Sequence, residues 1–493
     1  MRRGRLPLLI FGCCVALAGC AVDQEKEVAR YREVVDLPTT QPASAFRADQ
    51  PLTVRHAMLL ANASNERLSI EGETYLQSLI DRRRAVAAFL PTVSLGPRYV
   101  FRERTGGGGG DENDRGGSSS QNESFDVPVG GTVNVFNGFS DLARLRNTKL
   151  TIEQRRALLL DLQEQLLLDV AQVFYQVLRS EESVRVLENS LQVQEARLRD
   201  VRGRQEAGVV RPLDVAQVEA QASQTRVSLF AARSDVLNGR SVLTFLTAAD
   251  VGRSPLLEEF EAPPITDTRE QLQTTGAERR RDLQAAALGT KAARELVEAA
   301  FGQYYPSVSV DLNVFLYRES TPADRDWEGL IRANIPLFSA GLIEADVRTA
   351  WSEFRQASLS EALARRQVVQ DVDIAHQDLL ATARRLAEAR TQLTAAEQAF
   401  TQADQSNAIG LATNLERLIA QDQLLTAQLQ YVSEQFTRKV SYLNLLRATG
   451  SLRSALEEFA TTKPTTREAE RAISGQLSAI SQKEGGPATL ADR

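Results

Sequence analysis

The chain repeats itself at a fixed interval of 202 residues, and this constrains its fold more than any local motif. Phe136 recurs as Phe338, Asp169-Val170 as Asp371-Val372 and Gly208 as Gly410. Leu213 recurs as Leu415, Asp214 as Glu416 and Gln221 as Gln423. Chance matches between helical sequences would drift, whereas this offset holds over about 85 positions. The chain is therefore read as two units of equal length and similar shape.

The first residues read as a targeting segment. Arg2, Arg3 and Arg5 precede an apolar stretch, Leu6 to Leu17, that is too short to span a bilayer as a helix. It ends in Leu17-Ala18-Gly19-Cys20, which resembles the bacterial lipobox, in which the cysteine is acylated and becomes the first residue. Ala21, in place of Asp, resembles an outer-membrane sorting signal. All three cysteines lie in this segment, so the mature chain has neither free thiol nor disulfide. Loss of three arginines takes the formal charge from −6 to −9, which disfavours a nucleic-acid partner. Residues 1–19 are expected to be the signal peptide and 20–50 a polar linker.

Two stretches in each repeat change from helical to two-residue period. Val308, Val310, Leu312, Val314 and Leu316 alternate with Ser307, Ser309, Asp311 and Asn313, the pattern of a strand with one apolar face. Trp327, Ile331, Ala333 and Ile335 alternate likewise with Glu328, Arg332 and Asn334. In the first repeat, Val93, Leu95, Tyr99 and Phe101 form one apolar face, and Phe125, Val127, Val129, Val133 and Val135 the next. Pro128 falls inside that last run and argues locally against a strand. The glycine-rich stretch 106–120 reads as a solvated loop, because its spacing does not suit phosphate binding and no helix follows it.

The remainder reads as long helices. Residues 139–206 contain no proline. Leu166, Val170, Val173, Val177, Val184, Leu187, Leu191, Leu198 and Val201 fall at alternating steps of three and four, with Ser180 and Gln194 in two of the places. Val372, Leu379, Leu386, Leu393 and Phe400 recur every seven residues. Both are coiled-coil patterns. Flanking apolar positions such as Leu167 and Phe174 suggest that each helix packs on two neighbours. Gly208 and Gly410 are placed to end these helices, and Pro212 and Asn414 to begin the returning ones. The expected organisation is repeat 1 over 51–250 and an irregular connector over 251–278. Repeat 2 follows over 279–450, opening on one helix over about 279–302, and 451–493 is a partly disordered tail.

Four amphipathic strands cannot close a barrel, and an open sheet edge inside a bilayer is prohibitively costly. Small closed membrane barrels begin at about eight strands, so the strands must pair with those of other copies. Physical argument alone leaves the copy number open.

With these parts in order, the chain resembles the TolC-type outer-membrane efflux proteins, and its lipobox points to their lipoprotein branch. The resemblance covers about residues 50–450. It rests on Leu90-Pro91 and Tyr305-Pro306 at strand entry, Pro336-Leu337-Phe338 before Gly341, Phe136-Asn137-Gly138, and the two helical turns. It implies a mainly α fold with a small β part: a trimeric transmembrane β-barrel, four strands per chain, continuous with a long periplasmic α-helical barrel. It also implies a passive exit duct that receives small molecules from an inner-membrane pump through a periplasmic adaptor. A pump of the resistance-nodulation-division type is the expectation, and a type I protein secretion channel is an alternative.

In the family, adaptors dock at the tip turns, here Gly208, Val209, Leu213, Gly410, Leu411 and Leu415. The family's acidic constriction corresponds to Glu416, with Asp214 as its repeat mate. The second acid of that pattern is replaced by Ile419, which favours a single charged ring or an apolar constriction. In a trimer three such carboxylates would converge, with coupled and raised pKa values. Glu416 reads equally well as a solvated helix-start residue favoured by the helix dipole.

Catalysis has little support. His56 and His376 are the only histidines and lie far apart without ligand spacing. No nucleophile elbow, H-E-x-x-H motif or phosphate loop occurs, so no enzyme activity, metal or cofactor is expected. A lipid-anchored coiled-coil scaffold without a pore is the remaining alternative, and the alternating strands argue against it.

Overall fold

A computed structural model describes residues 23–37, 50–101, 123–252, 254–263, 267–319 and 326–461. Cys20 with its signal segment, the loop 106–120 and the residues after 461 lie outside this set. In chain order the elements are α1 (Gln24–Val35), β1 (Leu52–Thr53), α2 (Val54–Ser64), α3 (Glu66–Ala87), β2 (Thr92–Leu95), β3 (Arg98–Phe101), β4 (Glu123–Asn137) and α4 (Ser140–Glu206). They continue as α5 (Pro212–Thr247), β5 (Leu256–Leu257), α6 (Arg269–Arg279), α7 (Arg281–Phe301), β6 (Ser307–Arg318), β7 (Trp327–Asn334), α8 (Leu342–Ala408), α9 (Asn414–Ala448) and α10 (Leu452–Thr461). The chain divides into two compact units. One holds the chain to Val34, Ile70–Leu159 and Arg281–Arg366; the other holds Val35–Ser69, Leu160–Arg280 and the chain from Gln367. Among the described residues no helix is long and apolar enough to cross a membrane.

The first unit carries an antiparallel sheet in the order β2-β4-β6-β7, with β3 also on β4. β2 and β3 lie along one edge of β4, opposite Val129–Thr132 and Glu123–Asp126. Gly96 and Pro97 separate them, and Gly96 N–H donates to the Pro128 carbonyl at 3.1 Å. The five segments thus occupy the four strand positions expected. Pro128 does not end β4. The register shifts between Val127 and Pro128, which stand opposite Tyr317 and Phe315, so Leu316 is the extra residue. A bulge lets the ladder tolerate a residue without an N–H.

In the second unit the helices pack as coiled coils. α4 and α8 have 67 residues each, roughly 100 Å at 1.5 Å per residue. Leu166, Val170, Val177, Leu187 and Val201 are buried, and so are Ser180 and Gln194 at the polar places of the stripe. Leu187 packs with Leu229 of α5 and Leu425 of α9, while Val372 of α8 packs with Leu272 of α6 and Leu445 of α9. α4 therefore meets two neighbours, α5 and α9, and α9 meets α4 and α5 in one cluster and α6 and α8 in the other.

The duplication extends to the backbone. All residues with positive φ among those described form pairs 202 apart: Gly138 and Ala340, Phe139 and Gly341, Gly208 and Gly410, Ala248 and Gly450. Three of these eight places carry a side chain against the left-handed preference, so at those places the backbone geometry is kept where the repeat mate has glycine and the residue itself does not.

The boundaries differ from expectation in four places. Within the expected linker, Gln24–Val35 is a helix. Tyr31 is buried against α3, where a Cβ on Gly72 would lie 2.4 Å from its ring. The connector is partly ordered: α6 begins at a capping box in which Thr268 and Gln271 exchange bonds, and β5 pairs in parallel with β1. The helix expected over 279–302 begins at Arg281, because extended Arg280 separates it from α6. In the expected tail, Leu452–Thr461 is helical, with Leu452 fully buried.

A buried polar knot, not foreseen from sequence, ties the second unit together. Fully buried Gln163 donates from Nε2 to Asn62 Oδ1 at 2.6 Å and to the Val35 carbonyl. Its Oε1 accepts from Arg453 at 3.1 Å.

Candidate functional site

Side chains of the sheet sort by face. Leu95, Val129, Val314 and Trp327 lie in one cross-strand row, and Val133, Val310 and Ile331 in another. The other face is polar: Thr132 Oγ1 donates to Asp311 Oδ1 at 2.8 Å, and Arg332 lies 3.7 Å from Asp311. Asp126, 1% exposed, takes Arg98 at 3.4 Å on that face. The apolar face is not covered by the chain's own core, and Ile331, Val93 and Trp327 stand open on it. Aromatic residues mark both ends of that face. Tyr99, Phe101, Phe125 and Tyr317 cluster with ring centroids 4.6–6.1 Å apart, and Phe136 meets Phe139 edge-on at 5.1 Å. Phe125 to Phe136 is about 36 Å along the strand, or about 28 Å at a tilt near 40°. Those dimensions and that polarity are those of one segment of a membrane barrel wall. Both outer edges of the segment, β2 with β3 and β7, lack partners among the described residues.

The two tip turns are built alike. Gly208 N–H donates to the Gln205 carbonyl at 2.9 Å and Val209 N–H to Arg204 at 2.9 Å. Gly410 and Leu411 donate to Asn407 and Ser406 at 3.1 and 2.8 Å. Each is the paired bond set of a Schellman turn, which requires the left-handed glycine at its centre. The turn holds apolar side chains out into solvent: Val209 is 76% and Leu411 80% exposed, and Leu213, Leu415 and Ile419 are exposed as well. The structure thus brings all six expected docking residues to the turns.

The acids expected at a gate are held locally. Glu416 accepts from Thr413 N–H at 2.7 Å and from its hydroxyl at 3.0 Å, while Glu416 N–H donates to Thr413 Oγ1 at 3.2 Å. This capping box holds the Glu416 carboxyl below the ordinary glutamate range, the Thr413 N–H being the main cause. Asp214 accepts from Arg211 at 3.2 and 3.3 Å. That pairing, first through the hydrogen bond, raises the Arg211 guanidinium. Both partners are readable from spacing, as Thr413-x-x-Glu416 and Arg211-x-x-Asp214.

One feature of the tip escaped sequence reading. Arg417 is buried, stacks over the Phe400 ring at 5.6 Å and pairs with Asp404. Arg197 of α4 donates to Asn407 Oδ1 at 2.9 Å, and Asn407 Nδ2 donates to the Ala412 carbonyl at 3.1 Å inside the second turn. Burial, followed by the charge of Arg417, lowers the Arg197 guanidinium. The second tip turn is thereby tied to α4.

The profile of the outer membrane efflux protein family matches residues 79–249 and 275–451. The chain belongs to that family. It is 25% identical over 327 residues to the probable efflux pump outer membrane protein TtgC of Pseudomonas putida, covering 62% of this chain and 63% of TtgC. With the outer membrane efflux protein BepC of Brucella suis it shares 22% over 337 residues, 66% of this chain and 74% of BepC. The fold matches the Campylobacter jejuni CmeC outer membrane channel with a TM-score of 0.73 at 14% identity, over 81% of this chain and 86% of that one. It matches the open state of the Neisseria gonorrhoeae MtrE channel with a TM-score of 0.67 at 17% identity, over 85% and 97%. The family is one of outer-membrane efflux channels rather than enzymes, and membership favours the conduit over the pore-free scaffold. The mainly helical fold with a small strand set is the one expected.

Proposed function

We propose that this outer membrane efflux protein is the passive, homotrimeric exit duct of a tripartite pump. The observation that carries the reading is a four-position sheet with lipid-type polarity and two free edges. Free N–H and C=O groups cannot be left in hydrocarbon, and three copies supply twelve strand positions, enough to enclose a lumen. The apolar tips on Val209, Leu213, Leu411 and Leu415, with Gly208 and Gly410 shaping the turns, serve as the docking points of a periplasmic adaptor. Through that adaptor an inner-membrane pump of the resistance-nodulation-division type delivers small molecules. Glu416, with Asp214, lines the periplasmic constriction and favours cations.

Cys20 anchors the chain by its acyl groups. The course of α1 supports this. Tyr31 lies at Gly72 and Glu27 lies 3.9 Å from Arg83, so α1 runs antiparallel to α3 and its first residue points back toward the strand entry at Pro91.

The test is conductance of the purified full-length protein in a planar bilayer. Discrete, small, cation-preferring steps are expected. If no steps appear even after Asp214 and Glu416 are both replaced by Ala, the duct reading fails.

A further inference from the structure

Below the sheet, the facing sides of α4 and α7 enclose a groove of about 910 Å³. Its polarity runs in one direction. Next to the strand ends it is walled by Phe139, Leu142, Phe301 and Tyr305, and one to three turns further along by Glu298, Arg146, Glu295, Arg294 and Lys291, with Leu150 one turn beyond Arg146. The groove opens on the lipid side of the sheet. Phe139 packs edge-on against Phe136, which stands opposite Val308 on the apolar face. Phe139 to Arg146 is about 10 Å along the helix, so the charged end lies at the depth of the headgroups when the aromatic end lies at the hydrocarbon boundary.

The charges in the groove are only partly spent on one another, in one long ion pair. Arg146 and Glu295 are 4.0 Å apart, and Glu295 Oε2 is buried without a hydrogen-bond partner. Lys291 and Arg294 have no ion-pair partner among the described residues. Three cations and two carboxylates, below an apolar slot, complement a headgroup that carries both a phosphate and an ammonium.

We propose that this groove binds one phospholipid of the proximal leaflet, of the phosphatidylethanolamine type. Arg146, Lys291 and Arg294 take the phosphate, Glu295 and Glu298 take the ammonium, and the Phe139 end holds the start of an acyl chain. The proposal rests on the reading of the sheet as membrane wall.

The test uses full-length protein in nanodiscs of equal dioleoyl-phosphatidylethanolamine and dioleoyl-phosphatidylglycerol, extracted into detergent and weighed by native mass spectrometry. About one retained lipid per chain is expected, with severalfold preference for phosphatidylethanolamine. Arg146→Ala with Lys291→Ala should cut retention of both lipids about tenfold. Glu295→Gln with Glu298→Gln should keep retention and abolish the preference. Arg82→Ala, on α3, should change neither. Equal retention in wild type and in the Arg146/Lys291 variant overturns the proposal, as does collapse of the oligomer in that variant, which would make the groove a contact between copies. Conductance in the same lipids, of the wild type and of the Asp214→Ala/Glu416→Ala variant, separates the two readings: steps without retained lipid overturn the lipid site alone, and absence of steps in both proteins overturns the duct.

Discussion

Replacing Leu411 by Ala tests whether the tip turns dock a partner through their apolar side chains. Leu411 is 80% exposed, so its contribution to the free chain's stability is small and nearly all of its apolar surface is available to an adaptor. The substitution removes three carbons, worth about 2 kcal/mol at about 0.8 kcal/mol for each buried carbon. At 1.4 kcal/mol per tenfold, that is a loss of about thirty- to fiftyfold in affinity at one tip. The assay is binding of the purified oligomer to an immobilised periplasmic adaptor, with the oligomer checked in parallel by its heat-modifiable mobility. Val209→Ala, Leu213→Ala and Leu415→Ala should each weaken binding by a smaller or similar factor. Gly410→Ala separates geometry from contact: its Cβ meets nothing within 4 Å, so its effect comes only from about 1–2 kcal/mol of left-handed strain on the turn. Less than twofold change in all four apolar variants, with the oligomer intact, refutes the docking argument. A loss confined to Gly410→Ala would place recognition in the turn backbone.

Glu416→Gln should lower cation preference in single-channel records while leaving the helix start intact, because Gln at this place can still complete the capping box; unchanged selectivity removes Glu416 from the gate. The folded-state pKa of Glu416 is depressed, so its cap is fully present above the ordinary glutamate value, about 4.3, and is lost as pH falls through the lowered one. Amide protection factors at Asn414–Ile419, referred to the intrinsic exchange rate at each pH, should therefore stay flat from neutral pH down to about 4 and fall below it, and a fall near pH 6 would contradict the assignment. Gln163→Leu removes the donor to Asn62 Oδ1 and one acceptor of Arg453, which keep their bonds to the Val35 and Asp36 carbonyls, and should destabilise the protein by about 1–3 kcal/mol, read from the denaturation midpoint; no shift would mean the knot is dispensable. Gly138→Ala should prevent oligomer formation, since its Cβ would lie 1.9 Å from the Gly302 carbonyl oxygen, whereas Gly208→Ala meets nothing within 4 Å and should assemble; comparable oligomer yields in outer-membrane fractions would refute the distinction.

What was legible in the sequence followed from periodicity. The Leu166 to Val201 stripe, including buried Ser180 and Gln194, and the rows on β4 and β6 follow directly from spacing, because each element repeats one geometry over many residues. The two tip glycines were legible because a Schellman turn demands a residue type. α1 was not, since its stability comes from a tertiary contact: Tyr31 seated where Gly72 lacks a side chain. Pro128 misled locally because the bulge that accommodates it is carried by the partner strand, at Leu316. Of the candidate site, the exposed apolar tips and the acids were named, but not the buried Arg417. A charge at the start of a helix reads as solvated until Asp404 and Phe400 are seen to enclose it.

Duplication gives the two tips one backbone and different chemistry, and the difference lies in named pairs. Arg417, buried against Asp404, has as its mate 202 residues earlier Val215, buried in an apolar cluster with Val201, Val218 and Leu418. Glu416 is held by a threonine cap, whereas Asp214 is held by Arg211. The first tip is thus closed by apolar packing and the exposed ion pairs Arg211–Asp214 and Arg202–Glu219, and the second by a buried guanidinium linked to its neighbours by directed bonds. Apolar packing tolerates small shifts of a helix, whereas buried Arg417 loses its charge partner if it is drawn away from half-exposed Asp404. In the proposed trimer, movement at the constriction therefore divides unequally. The first hairpin can slide on its apolar seam, and the second must break Arg417–Asp404 or carry Asp404, Arg417 and the turn together as one body. Arg417→Leu, which matches the apolar mate, should equalise the tips and lengthen channel open times in bilayer records. Unchanged open times would mean that the buried charge plays no part in holding the second tip.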